Sequence, residues 1–150
     1  MSSAQRLIRA NAALTALGYV AYPLLLVLLA LFDRDLLLRC IVVPAAGFAI
    51  CAIIRTAVDA PRPYEAGGPA PLIPKDAHGK SFPSRHTFCM FTIACTWLVF
   101  QPIVGGALLA CACALALIRV KGGVHYPRDV TAGAALALAI CAVGYLAIPW

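Results

Sequence analysis

Long apolar blocks separated by short polar islands run the length of this chain. The first block, Ala12 to Phe32, holds 21 residues without a charge, which at 1.5 Å per residue crosses a ~30 Å hydrocarbon core. Asp33-Arg34-Asp35 predicts a tight turn into a second block, Leu36 to Ile54, whose Arg39 lies close enough to the block's end to reach the interface. Pro23 and Pro44 fall inside these two blocks and are tolerable where neighbouring helices satisfy the freed carbonyls. From Arg55 to Pro83 the pattern breaks: six prolines, three glycines and charges of both signs predict one long loop. A connection of that length suits a lid or substrate collar better than a spacer.

Between His86 and Arg119 lie 32 residues without a formal charge. One helix of that length would be ~48 Å, well beyond the bilayer core. A break at Gln101-Pro102 divides the block into two spans of 16 to 18 residues and returns Arg119 and His125 to the membrane face of His86. The last span runs from Thr131 to Trp150, a residue suited to the interface. Gly106/Ala110 and Gly133/Ala137 are pairs of small residues that permit close helix packing. The expectation is an all-α, polytopic membrane helical bundle of about five transmembrane helices, with one long loop between helices two and three, forming a single domain over residues 1–150.

Composition agrees with this pattern and excludes alternatives. At 63% hydrophobic and 12% charged, the chain is too apolar for a soluble domain. Its net charge of +6 sits in the islands between spans, where it orients helices and meets lipid phosphates, so no nucleic-acid partner is expected. All seven cysteines lie inside apolar blocks, which predicts neither a disulfide framework nor a metal site.

Three polar islands fall on one side of a five-span bundle. In Arg55-x6-Arg62-Pro63, two guanidinium forks are placed to converge on one tetrahedral anion. In Ser81-Phe82-Pro83-Ser84-Arg85-His86-Thr87, Ser84 suits the N-cap of the third span, where its hydroxyl and the free amides of the first turn hold anions, with His86 beside them. In Arg119-x5-His125-x3-Asp129, Pro127 suits the first position of a new helix. His125 then lies just outside that helix and Asp129 in its first turn. A carboxylate bonded to one imidazole nitrogen fixes the tautomer and leaves the other nitrogen as base or nucleophile. Each island also reads as ordinary membrane flanking sequence: an arginine closing a span, a helix cap, a basic loop. Two histidines, several arginines, a serine and a carboxylate on one side are hard to explain as anchoring.

In order and internal spacing, the islands resemble the three motifs of the type 2 phosphatidic acid phosphatase superfamily, which also includes the vanadium haloperoxidases. Those motifs are Lys-x6-Arg-Pro, Pro-Ser-Gly-His and Ser-Arg-x5-His-x3-Asp. This chain reads Arg55-x6-Arg62-Pro63, Pro83-Ser84-Arg85-His86 and Ile118-Arg119-x5-His125-x3-Asp129. Arg55 replaces lysine and keeps its charge, Arg85 replaces glycine and adds a bulky cation, and Ile118 replaces serine.

The resemblance implies a membrane lipid phosphatase or diphosphatase in which His125 attacks phosphorus, Asp129 orients it, and His86 protonates the leaving oxygen and then activates water. Arg55, Arg62, Ser84 and Arg119 would hold the phosphoryl oxygens, with Arg85 beside them, and no metal or other cofactor is implied. Lys80, Arg85, Lys121 and Arg128 are further cations for a second phosphate or for headgroups. His78 matches no motif and reads as a solvated loop residue. The partners expected are the bilayer and a lipid phosphate of polyprenyl diphosphate, phosphatidate or phosphatidylglycerophosphate type, with a slight lean to the diphosphate. A non-enzymatic lipid carrier or assembly subunit retaining the fold is the alternative, which the His86/His125/Asp129 set disfavours. Ten basic residues on the side of the islands against Arg34 and Arg39 opposite predict a multi-pass protein of the cell (plasma) membrane with a cytoplasm-facing site.

Overall fold

The computed structural model describes residues 2–75 and 77–147. Among these residues five α-helices make up the bundle: α1 (Ser3–Phe32), α2 (Arg34–Val58), α3 (Arg85–Phe100), α4 (Pro102–Lys121) and α5 (Pro127–Ala142), the last running into a π-helical segment, Val143–Ala147. No strand occurs among the described residues. The interface role expected for Trp150 lies outside them.

The expected break between the third and fourth spans falls at Gln101, with Pro102 opening α4 where its missing N–H costs nothing. Both N-terminal helices are longer than their apolar blocks. α1 begins at Ser3 because Ser2 and Gln5 cap its first turn reciprocally, and α2 continues to Val58. The turn between them is shorter than the three residues expected. Asp33 alone separates the helices, donating its N–H to Leu29 O and accepting the N–H of Leu36 on its side chain at 3.0 Å. Pro23 and Pro44 lie inside continuous helices.

Among the described residues, four segments are long and apolar enough to cross a membrane: α1, α2, α4 and Pro127–Ala147. At 16 residues α3 is about 24 Å long, and it sits inside the bundle rather than against lipid. Phe88, Met90, Ala94, Cys95 and Trp97 on it are buried, and Trp97 Nε1 donates to Ala21 O on α1 at 3.0 Å. Tyr19, Val27, Phe32 and Ile53 on α1 and α2 stay exposed, as side chains facing lipid do.

α5 reaches the start of α3 through Gly133, where a Cβ would stand 2.7 Å from Ser84 O. The other small-residue pair does not mediate packing as expected. Gly106 meets nothing within 4 Å, whereas Gly105, one position and about 100° around the helix, packs on Leu98. All seven cysteines are free.

The long loop is folded. Glu65 accepts the N–H groups of Arg62 at 2.7 Å and Gly79 at 3.0 Å, Lys80 donates its N–H to Asp59, and Ser81 donates its N–H to Ala60 O at 2.9 Å. The amide bonds hold the Glu65 carboxyl below its ordinary pKa. On the far side of the loop, Leu72 and Ile73 both donate their N–H groups to Gly122 O.

Candidate active site

The loop and the ends of α2, α3, α4 and α5 bring the three islands together. Arg55, in the last turn of α2, is buried and donates from Nη1 to Pro83 O. Arg62 is buried on the loop, donating from Nε to Gly79 O at 3.1 Å and from Nη1 to Val124 O at 3.2 Å. Both side chains line one cavity of about 320 Å³, which Lys75, Lys80 and Arg85 also line. On another side its wall is apolar, formed by Phe48 and Ala52 of α2.

Arg119, in the last turn of α4, is buried as well. Its Nη2 lies 3.2 Å from His86 Nδ1, while Nη1 donates to Asn11 Oδ1 of α1 at 3.2 Å. A guanidinium only donates, so His86 Nδ1 accepts and the ring's proton sits on Nε2. The Asn11 contact also puts the N-terminal end of α1 on the side of the islands, as the five-span reading requires. Arg119 Nε is buried without a hydrogen-bond partner among the described residues.

His125 and Asp129 stand as their spacing predicts, with Pro127 opening α5, His125 before it and Asp129 in its first turn. The turn ahead of His125 needs glycine twice. A Cβ on Gly122 would stand 2.4 Å from Ile73 Cδ1, and Gly123 adopts φ +72°. His125 is 3% exposed, and burial lowers its pKa from 6.5 to about 4. Arg119 and Arg62 push it the same way, while Asp129 opposes them.

The carboxylate does not meet the ring alone. Ser81 Oγ donates to Asp129 Oδ2 at 2.6 Å and lies 3.2 Å from His125 Nδ1, while the direct Nδ1 to Oδ2 separation is 3.5 Å. Because the single Ser81 proton goes to the carboxylate, its oxygen accepts from Nδ1–H. The Nε2 of His125 is therefore the unprotonated nitrogen. Tyr126 N–H adds a further bond to Oδ2 at 3.0 Å.

Ser84 flanks α3 at the expected N-cap position, but its hydroxyl does not cap the helix. It accepts from Thr87 Oγ1 at 3.1 Å, and Ser84 N–H donates to Asp129 O at 2.8 Å, tying the second island to the third. Lys121 and Arg128 do not line the cavity. Lys121 is exposed, and Arg128 lies over the Tyr126 ring at 5.1 Å with its Nε 3.7 Å from Asp129 Oδ1. His78 is exposed and contacts Glu65 at 3.1 Å.

The PAP2 superfamily model matches residues 35–150. The chain belongs to the PAP2 superfamily, in its membrane lipid phosphatase branch. It is 31% identical over 131 residues to the undecaprenyl-diphosphatase BcrC of Bacillus subtilis, a match covering 85% of this chain and 67% of that one. With the bacitracin transport permease protein BcrC of Bacillus licheniformis it shares 45% over 56 residues, 37% of this chain and only 28% of that relative's length. Among solved structures, Aquifex aeolicus LpxE superposes with a TM-score of 0.71 at 26% identity, covering 89% of this chain and 82% of that one. The PAP2-type phosphatidylglycerolphosphate phosphatase of Bacillus subtilis has the same fold, with a TM-score of 0.62 at 20% identity over 94% of this chain and 80% of that one.

Three residues at the site escaped the sequence reading. Ser81 was visible as a hydroxyl in the second island but had no identifiable partner. Lys75 lay in an aperiodic, proline-rich loop. Asn11 precedes the first apolar block and lies outside the residues matched by the PAP2 model.

Proposed function

We propose that this PAP2 enzyme hydrolyses a membrane lipid phosphate or diphosphate without a metal ion, through a phosphohistidine on His125. The observation that carries the reading is an imidazole with a free Nε2 on the turn that Arg62, a cation lining the cavity, bonds at Val124 O. In the first step, with a second proton drawn onto His86 by the bound anion, the His125 Nε2 lone pair attacks phosphorus, the bond from phosphorus to the bridging oxygen breaks, and the leaving oxygen takes the Nε2 proton of the His86 imidazolium, which is left neutral. In the second, His86 takes a proton from water, whose oxygen attacks phosphorus and breaks the P–N bond, releasing phosphate.

Asp129 and Ser81 keep the His125 proton on Nδ1 through both steps. Arg55, Arg62 and Arg119 hold the equatorial oxygens, with Ser84 at the same phosphate and the exposed Arg85 outside it, and the partnerless Arg119 Nε supplies a buried donor for one of them. Guanidinium charge takes the part that Mg²⁺ plays in other phosphoryl transfers.

The lipid assignment rests on the cavity wall. Phe48 and Ala52 let an acyl or polyprenyl chain leave along α2 into the bilayer while its phosphate stays among the cations. The excess of positive charge and the similarity to an undecaprenyl-diphosphatase favour a polyprenyl diphosphate.

Phosphate release by the detergent-solubilised protein tests the reading against polyprenyl diphosphate, phosphatidate, phosphatidylglycerophosphate and a soluble phosphomonoester. Lipid substrates are expected to be preferred, with EDTA without effect and vanadate inhibitory as a mimic of pentacoordinate phosphorus. Strict dependence on added Mg²⁺ overturns the scheme.

Ser81 gives a separate prediction. Ser81→Ala leaves Asp129 Oδ2 without its shortest donor and His125 Nδ1–H without its nearer acceptor. Unpartnered buried groups cost about 1–3 kcal/mol, so kcat is expected to fall about 10- to 100-fold, with KM little changed. An unchanged kcat removes Ser81 from the pathway that orients His125.

A further inference from the structure

The loop between α2 and α3 carries a cation that no motif contains. Its segment Pro71–Ile73 is seated on the turn before His125. Leu72 and Ile73 donate their N–H groups to Gly122 O at 3.0 and 3.4 Å, and the buried Ile73 fills the space over Gly122 where a side chain would stand. Two residues further on, Lys75 is half-buried in the wall of the 320 Å³ cavity, among Arg55, Arg62, Lys80 and Arg85. No carboxylate lines that cavity among the described residues. Among the described residues, the side-chain bonds of Arg55 and Arg62 run to neutral carbonyls and not to carboxylates.

Exposure sorts these cations into two tiers. Arg55, Arg62 and Arg119 are buried, whereas Lys75 is half-buried and Lys80 and Arg85 are exposed. The inner three neutralise one phosphoryl group, which carries about two negative charges at neutral pH. The outer three have nothing to neutralise if the substrate ends there. Burial, with the fields of Arg119, Arg62, Arg85 and Arg55, lowers the pKa of the Lys75 ammonium, so holding that charge in place has a cost which an anion relieves.

We propose that Lys75, with Lys80 and Arg85 beside it, forms a second anion subsite that holds the lipid-attached phosphate of a diphosphate, making Lys75 a specificity-determining residue for diphosphate over monophosphate. The proposal rests on the phosphatase reading above. When the bridging P–O bond breaks, the lipid-attached phosphate gains a negative charge on its oxygen, and an ammonium there stabilises that charge as it develops. A phosphomonoester of the same lipid reaches only the inner tier.

The test compares a polyprenyl diphosphate with the polyprenyl monophosphate of the same chain, at equal surface concentration in mixed micelles, for wild type, Lys75→Met and Lys75→Arg. The ratio of kcat/KM for diphosphate over monophosphate is expected to fall at least tenfold in Lys75→Met and to be largely retained in Lys75→Arg. Inorganic pyrophosphate, as a competitor of either reaction, is expected to weaken more in Lys75→Met than orthophosphate does. A ratio unchanged in Lys75→Met overturns the subsite while leaving the phosphatase reading intact. A wild-type protein that hydrolyses neither lipid overturns the phosphatase reading, and the subsite with it.

Discussion

His125→Ala is expected to remove phosphate release from every lipid substrate, by a factor on the order of 10⁴ to 10⁶, because no other side chain offers an unprotonated nitrogen at that point. His125→Gln should be equally inactive while occupying more of the same space, and it gives a second readout. In the folded protein the His125 pKa is about 4, against an ordinary 6.5. Between those values the unfolded chain takes up a proton that the folded chain does not, so stability rises with pH across that window. The His125 contribution is complete above pH 6.5 and is lost as pH falls towards 4, at up to about 1.4 kcal/mol per unit. The apparent melting temperature in detergent is therefore expected to fall less steeply with acidification in His125→Gln than in wild type. Full activity in His125→Ala ends the phosphohistidine scheme, whereas identical acid slopes would show instead that the imidazole is not held neutral.

For His86→Ala the expected loss depends on the leaving group. A general acid contributes about 10²–10⁴-fold, and more of it when the departing oxygen is strongly basic. Phosphatidate expels an alkoxide, whereas a polyprenyl diphosphate expels a far less basic lipid phosphate. The first step of His86→Ala should thus be impaired more on phosphatidate than on the diphosphate. With the diphosphate, the second step, in which His86 activates water, should become limiting, and a phosphohistidine labelled from the terminal phosphate should accumulate. Equal losses on both substrates, with no trapped phosphoenzyme, would remove His86 from proton transfer.

What the sequence made legible follows from how local each signal is. The helix boundary at Gln101-Pro102 depends on one ring that cannot continue a helix, and the Pro127/Asp129 pairing on the geometry of a single turn. Motif spacing located both histidines and three buried arginines. The extension of α1 back to Ser3 was missed because a reciprocal Ser2–Gln5 cap outweighs the polar character of those residues. The loop between α2 and α3 was illegible in detail, since its order comes from distant partners: Gly122 for Leu72 and Ile73, Ala60 for Ser81. The same holds for Asn11, whose side chain meets Arg119 across 108 positions of sequence. A hydroxyl or an amide in a polar stretch reveals its role only when the fold supplies the other half.

The docking of Ile73 on Gly122 ties the long loop to the turn that carries His125. The carbonyl that receives the Leu72 and Ile73 amides belongs to a residue three positions before His125, so the loop cannot swing outward without disturbing the peptide that aims the imidazole. The position of the loop and the aim of the nucleophile are therefore coupled through one carbonyl. A bulkier residue at 122, whose Cβ would stand 2.4 Å from Ile73 Cδ1, would disturb both at once.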